Sequence, residues 1–202
     1  EQVGKMTSYV GIALNIALSV MKMISGLIFH SVSILADGVN NLSDAGNSLI
    51  LLISFKLSSK EADAEHPFGH ERIEYLASCI VALSILLLSV ELFRSSFDKI
   101  LHPSDIDFSI LLVVVLGVSI LGKLLLYKFY KDCAKGIDST VLEASAQDSI
   151  NDVYSTTAVL ISTLLFRFMN INLDGYMGVA VAILIFISGI SIMKDAANKI
   201  LG

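Results

Sequence analysis

The chain has 202 residues, 54% hydrophobic and 16% charged, with a formal net charge of −5 and two prolines. A mean hydropathy of +0.75 is too apolar for a water-soluble domain and describes an integral membrane protein. The acidic balance, with no basic stripe interleaved with aromatics, excludes a nucleic-acid-binding surface, and Cys79 and Cys133, far apart and in no CxxC or Cys/His spacing, carry no zinc or redox motif.

An α-helix crosses a hydrocarbon core of about 30 Å with roughly 20 predominantly apolar residues. Six segments reach that length, at approximately 8–29, 33–57, 72–97, 108–130, 141–168 and 173–193. The expected fold class is an all-α membrane protein, with residues 1–202 forming one six-helix transmembrane bundle. The first segment has no basic leader and a longer apolar run than a signal peptide carries, so it reads as a spanning helix. It holds Lys22, and Lys123 lies similarly inside the fourth segment and Glu91 inside the third. A lysine so placed is expected to snorkel toward an interface or a polar cavity. Glu1 in place of an initiator methionine, and the stop at Gly202 soon after the sixth segment, read as ends trimmed from a longer chain.

The second segment contains Asp37, Gly38, Asn40, Asn41 and Asp44, all residue types that favour turns. A helix starting only at Ala45 would leave too short a run to Leu57, whereas a start at Ser33 supplies a full span. The polar cluster is therefore expected inside the membrane, where a carboxylate is costly and marks a pathway. The following loop gathers Asp63, His66, His70 and Arg72, with Pro67 and Gly69 arguing against a regular helical site. His30 and His102 stand alone at outer helix ends and read as interfacial polarity. In the fifth segment Asp148, Asn151 and Asp152 form a second polar cluster.

With alternating helices, Lys5, Lys56, Lys60, Arg72, Lys128, Lys131, Lys135, Lys194 and Lys199 fall on one side, against Arg94, Lys99 and Arg167 on the other. Positive charge marks the cytoplasmic side, so both termini are expected in the cytoplasm, most simply of a bacterial-type plasma membrane. The second and fifth segments would then run in opposite directions, as in transporters whose inverted repeats build a midplane site.

Residues four apart share a helix face, so Asn40 and Asp44 point one way, with Asp37 a turn further along, and Asp148 and Asp152 repeat that spacing. Two such stripes facing each other would offer three carboxylates and one amide oxygen to a divalent cation. Without thiolate or imidazole, the set suits Mn²⁺, Mg²⁺ or Ca²⁺ better than Zn²⁺, and Mn²⁺ is favoured. Asp37 is expected as a supporting group, an exit ligand or a helix cap, and Asn41 and Asn151 as hydrogen-bonding supports between helices.

Asn40, Asp44, Asp148 and Asp152, together with His66-Pro67-Phe68-Gly69-His70 and Leu173-Asp174-Gly175, resemble the cation diffusion facilitator family over the whole six-helix region. The resemblance implies a four-ligand site at Asn40, Asp44, Asp148 and Asp152, and the Asn-x-x-x-Asp plus Asp-x-x-x-Asp combination looks like the manganese-exporting branch, zinc relatives generally having a histidine there. It further implies a homodimer in the lipid bilayer that exports cytoplasmic metal against protons, with no cofactor beyond the transported ion. Crowded carboxylates suit that exchange, since they hold protons when empty and release them to a cation. A second, peripheral metal at Asp63, His66 and His70 is also implied, and so is a soluble cytoplasmic domain assisting dimerisation, which this chain ends too soon to hold.

Other readings stay open within the transport class, with Zn²⁺, Fe²⁺ or Co²⁺ as the ion, or a passive channel or metal sensor on the same ligands. An intramembrane aspartyl protease also pairs two aspartates, but its Tyr-Asp and Gly-x-Gly-Asp contexts are missing, since Asp148 follows Gln147 and Asp152 follows Asn151. A transporter rather than an enzyme is expected.

Overall fold

A computed structural model describes residues 2–57, 71–104, 106–137 and 140–201. They form α1 (Gln2–Ile28), α2 (Val32–Leu57), α3 (Glu71–Leu101), α4 (Ile110–Ile137), α5 (Thr140–Met169) and α6 (Asp174–Leu201). The helices run past the apolar windows, most of all at the start of α1 and the ends of α4 and α6. A backbone ladder, once nucleated, continues through polar residues at little cost.

The chain folds up and down, so that the last turns of α1, α3 and α5 meet the first turns of α2, α4 and α6 at one end of the bundle, the hairpin end; the first turn of α1 and the last turn of α6 lie at the opposite, terminal end. Two of these turns are closed by left-handed residues, His30 (φ 54°) after α1 and Asn170 (φ 57°) after α5. At the first, Ser31 N donates to Gly26 O at 2.9 Å, the six-to-one bond of a Schellman cap. His30 is thus not solitary, because its Nδ1 also lies 2.9 Å from Asp107 Oδ2, and His102 similarly meets Asp98 at 3.1 Å.

The most extensive packing pairs α1 with α2, α3 with α6 and α4 with α5, while α2 also touches α3, α5 and α6. Helix α1 lies close on α2 because glycines face the contact: a Cβ on Gly26 would come 2.7 Å from Leu35 N, and one on Gly38 2.9 Å from Met23 N. Small residues serve this purpose between membrane helices, where apolar burial alone does not drive association.

Burial is inverted relative to a soluble protein. Leu27, Leu125 and Phe168 are 62%, 70% and 78% exposed, whereas Lys22 and Lys123 are the largest fully buried side chains. An apolar skin around a partly polar interior is what lipid selects. Among the described residues, α1, α3, α4 and α6 are long and apolar enough to cross a membrane. The expectation of six apolar spans is therefore met by four; α2 and α5, of 26 and 30 residues, have the length but carry the polar clusters.

Helix α2 is anchored at its first turn by a residue distant in sequence. Ser31 caps it locally, its Oγ accepting from Ile34 N at 3.3 Å. Asp174, wholly buried at the start of α6, accepts from Val32 N at 2.8 Å, Ser33 N at 3.2 Å, and the Ser31 and Ser33 hydroxyls at 2.5 Å each. Lys99 Nζ, 2.9 Å away, completes the shell and also donates to the His30 carbonyl. An anion at a helix N-terminus meets unpaired N–H groups and the positive end of the dipole. Asp174→Ala strands the Lys99 ammonium and is expected to cost about 3 kcal/mol or more, read as lost resistance to denaturant in micelles. Asp174→Asn, which keeps one acceptor, should lose less.

A candidate metal centre between three helices

The polar stripe of α2 faces α5 near the middle of both helices. Asn40 Nδ2 donates to Asp152 Oδ1 at 2.7 Å, which links the two stripes directly. Lys123 of α4 completes the cluster, with Nζ 2.7 Å from Asp44 Oδ2 and 2.5 Å from Asp152 Oδ2. Of the ligand set expected from the sequence, Asp44 and Asp152 meet one ammonium and Asn40 joins them through Asp152. Asp148 lies a turn nearer the terminal end, exposed, with no hydrogen bond or ion pair to any described residue.

The remaining polar residues divide into two groups. Lys22 Nζ reaches Asp37 Oδ2 at 2.8 Å, Asn41 Oδ1 at 2.9 Å and Thr156 Oγ1 at 3.0 Å, joining α1, α2 and α5. It donates to Asn41 and Thr156 and forms an ion pair with Asp37, and Lys22, Asn41 and Asp37 are all fully buried. Asp37 is therefore neither a helix cap nor open to solvent, but one half of a buried ion pair. Asn151, by contrast, faces outward and accepts from Gln147 Nε2 on its own helix at 3.2 Å. Glu91 is also exposed, on α3. Asp63, His66 and His70 lie outside the described residues.

The two lysines correct the expectation of snorkelling. Their side chains are 0% and 1% exposed, and each finds carboxylates within reach, so pairing in the interior outweighs extension to an interface. Sequence reasoning left Lys123 out of the site. The available signal was charge balance, because two lone lysines and several carboxylates share an otherwise apolar interior, and such charges pair when buried.

Exposure is graded along the bundle. The layer of Lys22, Asp37 and Asn41 is closed, the Asp152 and Asp44 side chains are 10% and 19% exposed, and Asp148 is open. Among the described residues, exposure of the acidic groups thus rises toward the terminal end. Among the described residues no three His, Cys, Asp or Glu side chains are grouped as a metal site. Two carboxylates face one cation, with an amide hydrogen-bonded to one of them, a chemistry that fits a hard divalent ion as well as an ammonium.

Residues 8–201 match the cation efflux transmembrane domain. The chain belongs to the cation efflux family. With its apolar-skinned helices, family membership makes it an integral membrane protein. Relatives include an uncharacterized transporter of Methanocaldococcus jannaschii, 33% identical over 85% of this chain and 60% of that protein. The manganese efflux system protein MneS of Bacillus subtilis is 27% identical over 98% of this chain and 68% of its own length. The magnetosome protein MamM of Paramagnetospirillum magneticum is 31% identical over 80% of this chain and 51% of its own. The chain thus spans between about half and two thirds of these cation efflux relatives.

Proposed function

We propose that this chain is the six-helix transmembrane domain, residues 1–202, of a carrier that exports Mn²⁺ from the cytoplasm in exchange for protons. The observation that carries the reading is the convergence of Asp44 and Asp152, from two helices, on a single buried positive charge, with Asn40 bonded to Asp152 beside it. A place built to neutralise a cation away from water is what a transported ion requires.

The ligands proposed for the ion are Asn40, Asp44, Asp148 and Asp152. Asp148, exposed a turn toward the terminal end, would receive the ion first, and Asp44 and Asp152 would then hold it. The oxygen-only donor set favours Mn²⁺ over Zn²⁺, and two Bacillus subtilis relatives are named manganese efflux system proteins. Zn²⁺, Fe²⁺ and Co²⁺ are the alternatives within the same reading. The excess of lysine and arginine on the side of the termini supports a cytoplasmic placement of that end, so that the more exposed acidic groups would face the ion's source. The working unit is taken as a homodimer in a bacterial-type plasma membrane, and a peripheral metal at Asp63, His66 and His70 belongs to the same proposal.

Protons would be carried by the site carboxylates, because a bound divalent ion and bound protons compete for the same oxygens. The test is metal flux in liposomes carrying the protein, with Mn²⁺ and Zn²⁺ compared under an imposed pH gradient. Mn²⁺ flux should be faster than Zn²⁺ flux and should fall as the outside is made more alkaline, since fewer protons are then offered in exchange. Flux indifferent to outside pH would describe a channel instead.

A further inference from the structure

We propose that Lys123 is a tethered cation that occupies the metal position of the empty carrier, and that a divalent ion enters by displacing its ammonium from Asp44 and Asp152. This rests on the metal-transport reading above. The point between α2 and α5 where an ion would sit already holds one positive charge, supplied by a third helix, with Nζ at 2.7 Å from Asp44 and 2.5 Å from Asp152.

Two carboxylates brought together inside an apolar bundle repel each other and lack solvent, so an empty site would be unstable in its ionised form. The ammonium neutralises part of that charge without any ion from outside. It also sets a threshold for entrants. A monovalent ion offers the carboxylates no more charge than they already have, and it competes against a group whose tether gives it a high effective concentration. A divalent ion brings twice the attraction at the same distance. Lys123 would thereby exclude Na⁺ and K⁺ while yielding to Mn²⁺.

The side chain suits the task. Lysine carries a compact charge on a flexible four-carbon stem and can withdraw as a unit, whereas an arginine fork would grip both carboxylates through parallel hydrogen bonds. The contrast with Lys22 supports the assignment. Lys22 donates to Asn41 and Thr156 and pairs with Asp37 in the closed layer, away from the proposed ligands. Lys123 instead has both its described acceptors in the metal position itself, on the side that is partly open.

The test is Mn²⁺ affinity by calorimetry on the full chain in nanodiscs, at low and high NaCl. Lys123→Met removes the competitor, so Mn²⁺ should bind about tenfold more tightly or better, and Na⁺ should then weaken that binding while leaving it unchanged in the unaltered protein. Lys123→Arg keeps the charge but holds it more firmly, and Mn²⁺ should bind about tenfold more weakly. Unchanged or weaker Mn²⁺ affinity in a folded Lys123→Met protein overturns the proposal. If that variant does not fold, Lys123→Arg decides, and unaltered affinity there overturns it equally. Absent Mn²⁺ binding in the unaltered chain, or binding indifferent to Asp152→Asn, would instead be a failure of the transport reading. Binding that needs Asp152 but ignores both Lys123 substitutions removes the role of Lys123 alone.

Discussion

Asp152→Asn is expected to leave a folded protein that binds Mn²⁺ at least about 100-fold more weakly, since loss of even an outer partner of a metal ligand commonly costs 10–100-fold. Asp152 is the hinge of the cluster, because one oxygen accepts from Asn40 and the other faces Lys123. The asparagine keeps the shape and one acceptor but removes the charge on which both a metal and the ammonium depend. Asp152→Ala should be as inactive and also less stable, because it strands Asn40 Nδ2 and leaves Lys123 with Asp44 alone. Comparing the two separates loss of the site from loss of the fold. The measurements are Mn²⁺ affinity in nanodiscs and Mn²⁺ flux in liposomes. Unaltered affinity and flux in Asp152→Asn would remove the proposed site.

Lys22→Met is the substitution expected to damage the fold most, by about 3–5 kcal/mol, the usual consequence of taking one partner from a buried ion pair. Its ammonium donates to Asn41 and Thr156 and is the counter-charge of Asp37, in a layer where none of these groups reaches solvent. Removing it leaves a carboxylate buried without its counter-charge. The double substitution Lys22→Met with Asp37→Leu removes both charges and should recover at least about half of the loss, as replacement of whole buried pairs by apolar groups is often near neutral. Denaturant titration in mixed micelles reads both. Lys22→Met unfolding together with the unaltered protein would show that the Asp37 carboxylate needs no counter-charge in that layer.

The two lysines thus divide the work between stability and transport. Lys22 closes the layer nearer the hairpin end and ties α1, α2 and α5, so its loss should lower stability. Lys123 sits between Asp44 and Asp152, the proposed ion ligands, so its loss should change ion binding. The Asp174 and Lys99 cluster holds the first turn of α2 in register, a few turns from Asn40 and Asp44, and so connects the anchoring of the helix to the placement of its ligands.

Much of this was determined by the sequence alone. Length and apolarity set six long helices, four of them apolar enough to cross a membrane, because lipid tolerates only segments that satisfy their own backbone, and family membership follows from the match over residues 8–201. The four-residue spacings placed Asn40 beside Asp44, and Asp148 beside Asp152, because neighbours on a helix face are fixed by its pitch. Which of these meet across helices was decided only by tertiary packing. Helices α2 and α5 bring Asn40 and Asp44 to Asp152 while Asp148 stays at the open side. The partners of Lys22 and Lys123 were equally beyond sequence periodicity, since each lies on a different helix from the acids it neutralises. Local spacing repeats along one helix, but a charge buried in an apolar bundle is stabilised by whatever opposite charge the packing brings within reach, and that distance exists only once the helices are assembled.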